Sequence, residues 1–99
     1  MALVAEIRNG RGQVLERMVA HERFNPVLMG IDVVKFPLLG SIDPYGDTAF
    51  NYLQVERIQA EIRSHERTDS EFDAFLDELE TFSGQALAKP HRFLWFIGD

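Results

Sequence analysis

Cysteine is absent from the 99-residue chain. That excludes disulfide frameworks, thiolate metal sites and thiol nucleophiles, and it permits a reducing compartment. Long apolar runs are missing too: stretches such as Phe93 to Ile97 fall far short of the roughly 18 residues that a membrane span needs. The segment from Met1 to Arg8 places Glu6 inside its short apolar stretch and shows neither the basic start nor the small-residue cleavage site of a signal peptide. These absences together predict a soluble, cytoplasmic protein with no membrane partner. Basic charge is in deficit, with 10 Lys and Arg against 16 Asp and Glu and a formal net charge of −6. A nucleic-acid backbone is therefore not the expected partner, because phosphate binding needs clustered cations that release counterions.

What is present is ordinary for a globular chain, with 45% hydrophobic and 26% charged residues, and the length suits one domain over residues 1–99. Leu3, Ala5 and Ile7 alternate with Val4, Glu6 and Arg8, the period-two pattern of a strand with one buried face. Asn9-Gly10-Arg11-Gly12 then signals a turn, since Asn and Gly tolerate positive φ. Gln13 to Val19 continues as the second strand of a hairpin, although Val14 and Met18 also fit one helical face. Residues 20–47, broken by Pro26, Pro37 and Pro44 and by three glycines, read as loop with one short helical turn or strand.

The second half is helical. Val55, Ile58 and Ile62 define an amphipathic helix over residues 49–65 capped by Asp47 or Thr48, with Arg57 and Glu61 on its exposed side. Thr68-Asp69-Ser70-Glu71 has the capping-box spacing. From there Phe72, Phe75, Leu76, Leu79, Phe82, Ser83, Ala86 and Leu87 form a nearly unbroken apolar stripe that Pro90 ends. The closing run from His91 to Gly98 reads as a central strand, apolar on both sides and with Trp95 in the core. The expected fold is α+β: a small antiparallel sheet, made of the N-terminal hairpin and the C-terminal strand, packed against an antiparallel two-helix hairpin.

Charge is unevenly placed. Outside residues 68–87 acids and bases balance, so the whole excess is Asp69, Glu71, Asp73, Asp77, Glu78 and Glu80, with no Lys or Arg among them. Such a surface suits a basic protein partner, and Asp73, Asp77 and Glu80 are the residues expected to meet it. Asp43 and Asp47 flank a Pro-Tyr-Gly turn and are candidates for a divalent cation, although the ligand density of a calcium loop is missing. His21, His65 and His91 lack any zinc-ligand spacing, and no serine has a nucleophile-elbow context. No cofactor and no catalytic residue is expected.

Ile42-Asp43-Pro44-Tyr45-Gly46-Asp47-Thr48, then Phe50-Asn51 and Leu53-Gln54, and the terminal Phe96-Ile97-Gly98-Asp99 resemble a group of small bacterial proteins. That group carries a DPYGDTxFNxLQ-like segment and an FIGD-like closing strand, and no activity is attached to it. The resemblance implies this order of elements and a bacterial cytoplasmic origin. It also draws Asp43, Asp47, Asn51 and Asp99 together as one candidate ligand or metal surface. Two functions follow as expectations: a non-enzymatic interaction module using its acidic surface, in the style of immunity proteins, or a small ligand- or metal-binding protein, possibly hydrolytic, using the Asp43–Asn51 loop. A homodimer that buries the open sheet edge or the aromatic terminal strand is a third possibility.

Overall fold

A computed structural model describes residues 3–21 and 24–98. Within them the chain forms β1 (Val4–Asn9), β2 (Val14–Val19), β3 (Asp47–Phe50), α1 (Tyr52–Ser64), α2 (Ser70–Gly84) and β4 (Arg92–Ile97). The four strands make one antiparallel sheet in the order β2-β1-β4-β3. The hairpin forms as the sequence predicts. Asn9 fixes its turn, since the side-chain oxygen accepts from the backbone N–H groups of Arg11 and Gln13 at 2.9 and 3.0 Å, and Gly12 supplies the positive φ of 82°. Within β2 the register slips, leaving Leu15 as an extra residue between the partners of Ile7 and Arg8.

The strands alternate cleanly. Ala5, Ile7, Leu94, Phe96 and Phe50 point to one face, where all are buried. There they meet Val55, Ile58 and Ile62 of α1, Phe75, Leu76, Leu79 and Phe82 of α2, and Phe24, Phe36, Leu39 and Ile42 from the irregular segment. Phe24 bridges the layers, its ring 5.2 Å from that of Phe75 and 6.2 Å from that of Phe96. The two helices form the expected antiparallel pair, with Gln59 and Arg63 of α1 reaching Glu80 of α2.

Four expectations are corrected. Residues 47–50 are a strand instead of a helix start, because pairing with β4 puts Phe50 into the core opposite Leu94. The helix cap accordingly moves to Asn51, which exchanges hydrogen bonds with Gln54 in a capping box. On α2 the cap is Asp69 instead of Thr68, its carboxylate accepting from Glu71 and Phe72 N–H groups; a carboxylate there also gains from the helix dipole. Trp95 is not in the core. It lies half-buried with Phe93 on the outer face, which no helix covers, so β4 is buried on one side only. Glu61 is not exposed: it is 9% accessible, and its carboxylate accepts from the N–H groups of Leu38 at 3.1 Å and Leu39 at 2.9 Å. The short helical turn Leu39–Ser41 lies against α1, and its orphaned N–H groups are what the carboxylate satisfies.

Candidate functional site

Three places hold the chemistry-bearing side chains. The first is the acidic surface of α2. Asp77 accepts an ion pair from Arg67 at 3.3 Å and Glu80 one from Arg63 at 3.1 Å, while Glu71 stands 3.4 Å from the His21 ring nitrogen. Asp73 is half-buried, and its carbonyl accepts from Arg67. The Asp77 and Glu71 side chains keep 75% and 78% of their exposure, and exposed pairs of this kind contribute about 0–1 kcal/mol each. The Asp77 and Glu71 carboxylates are therefore held loosely by the cations that fold back onto α2.

The second place is the turn from Asp43 to Asp47. Asp43 closes an Asx turn by accepting from Tyr45 N–H at 2.8 Å, and its own N–H donates to the Thr48 hydroxyl at 2.9 Å. The turn is then locked to the end of β4, where Gly98 N–H donates to the Gly46 carbonyl at 2.8 Å. A Cβ on Gly98 would lie 2.9 Å from Tyr45 N and closer still to the Pro44 carbonyl, so only glycine fits. Two segments singled out by the sequence thus meet. Asn51 does not join them. It stands at the other end of β3, about 13 Å along the strand from Asp47 at ordinary strand rise, with its side chain used as the helix cap. Asp99 lies outside the described residues. Among the described residues no group of three or more His, Cys, Asp and Glu is placed to hold a metal ion.

The third place is the outer face of the sheet and the end where β1 turns into β2. Glu6 is 3% exposed there although no helix covers it. Arg8 and Arg17 clamp it, each with a guanidinium nitrogen 2.6 Å from one of its oxygens. Burial works to raise its pKa, but the hydrogen bonds and charges of the two arginines outweigh that and hold the carboxyl below its ordinary value. Arg8 also stacks 4.3 Å from the centre of the Trp95 ring.

Beyond Asn9, paired with Arg92 across β1 and β4, opens a cleft of about 450 Å³ whose lining includes Arg11, Lys89, His91 and Arg92 and no carboxylate. A second cleft of about 380 Å³ shares Asn9 and Gly10 with it and is walled by Ala49, Phe93 and Trp95. Arg92 is oriented by donating to the Gln85 carbonyl at 3.0 Å. His91 has φ 63°, which no other non-glycine residue among those described shares. Sequence reading missed this cluster because its members come from residues 11 and 89–92, and only the β1–β4 register brings them together. The one signal available was the basic pair Lys89 and Arg92 flanking a Pro-His step.

No protein-family model, curated protein or solved structure matches the chain. The likeness to the DPYGDTxFNxLQ-type group therefore rests on those residues alone. No helix among the described residues is long and apolar enough to cross a membrane.

Proposed function

We propose that the protein is a non-enzymatic binding module for a basic protein partner, engaged through the outer surface of α2. The observation that supports this reading is the state of the acids on that helix. The chain's whole charge excess sits in residues 68–87, and Asp77 and Glu71 remain about three-quarters exposed despite their intramolecular partners. A cationic surface can therefore pair with the Asp77 and Glu71 carboxylates in exchange for weak internal pairs. The remaining negative field of this helix would steer such a partner during approach.

Affinity capture from native cell extract, with mass spectrometry, tests this with the wild type beside the triple variant Asp73→Asn, Asp77→Asn, Glu80→Gln. The expected result is a basic protein held by the wild type and lost by the variant, whose association rate, once purified, falls as salt is added. Equal retention by both baits, or an association rate indifferent to salt, removes α2 from the account. The other reading, a divalent-metal or hydrolytic site on the Asp43–Asn51 loop, is not favoured by the geometry, because Asn51 points its chemistry into a helix cap.

A further inference from the structure

We draw no further inference here: the strongest candidate, the outer face of the sheet where the Arg8–Glu6–Arg17 clamp and Trp95 lie beside the exposed Val14 and Val19, is an unpartnered face, and nothing in the structure shows what covers it.

Discussion

The acidic helix and the basic end of the sheet handle charge in opposite ways. On α2, where the sequence places every unbalanced acid, the structure brings Arg63, Arg67 and His21 to within 3.1–3.4 Å of three of them. At the sheet end, where the sequence shows only scattered bases, Arg11, Lys89 and His91 share a cleft with no carboxylate in its lining. A count of charges along the chain thus points to the acids, while folding partly answers the acids and leaves the bases unanswered. A third group of charges, Glu6 and Glu61, works inside the fold and gives the comparison its scale. Charges that serve the fold should cost the most to remove, and those offered to solvent or to a ligand the least.

The largest effect is expected at Glu61. Replacing it by alanine strands the buried N–H groups of Leu38 and Leu39 and should destabilise the fold by about 2–3 kcal/mol in denaturant melts. A loss under half a kilocalorie would mean that water reaches those groups. Glu6 comes next, with a pH signature. Its carboxyl titrates below its ordinary value of 4.5 in the folded chain, so the unfolded chain takes up the proton first as pH falls. The stability it contributes is therefore full above about pH 4.5 and is lost as pH drops through the lower folded value. Glu6→Gln should flatten that part of the stability profile, and an unchanged acid limb would show that the clamp contributes nothing. Smallest are the surface acids: Asp77→Asn and Glu80→Gln should each change stability by less than about 0.5–1 kcal/mol, and a larger loss would turn their ion pairs from accessory contacts into structural ones.

The parts of the fold legible in the sequence are those written in local periodicity. The Asn9-Gly10 turn between alternating runs specifies the hairpin, and the unbroken stripe from Phe72 to Leu87 specifies α2. The strand after Pro90 was visible as an apolar run too short for a helix. What escaped depends on partners distant along the chain. Asp47 to Phe50 is only four residues long and carries an Asp-Thr pair that suits a helix cap equally well; only β4 beside it makes it a strand. Glu61 reads as one of an exposed i,i+4 pair with Arg57, and its burial follows from where the irregular segment crosses α1. Trp95 reads as core until the helices are seen to cover one face alone. The acidic surface was legible because acids clustered in sequence stay clustered on one helix, whereas the basic cleft is assembled by strand register and leaves no local pattern.

The measurement that addresses the contrast most directly is a ¹H–¹⁵N spectrum of the full chain followed during a titration with a lysine-rich peptide. The expected result is a set of shifts centred on the amides of residues 69–80 that added salt abolishes, with residues 9–13 and 89–92 silent. Shifts spread evenly over the chain, or none on α2 at low salt, would contradict it.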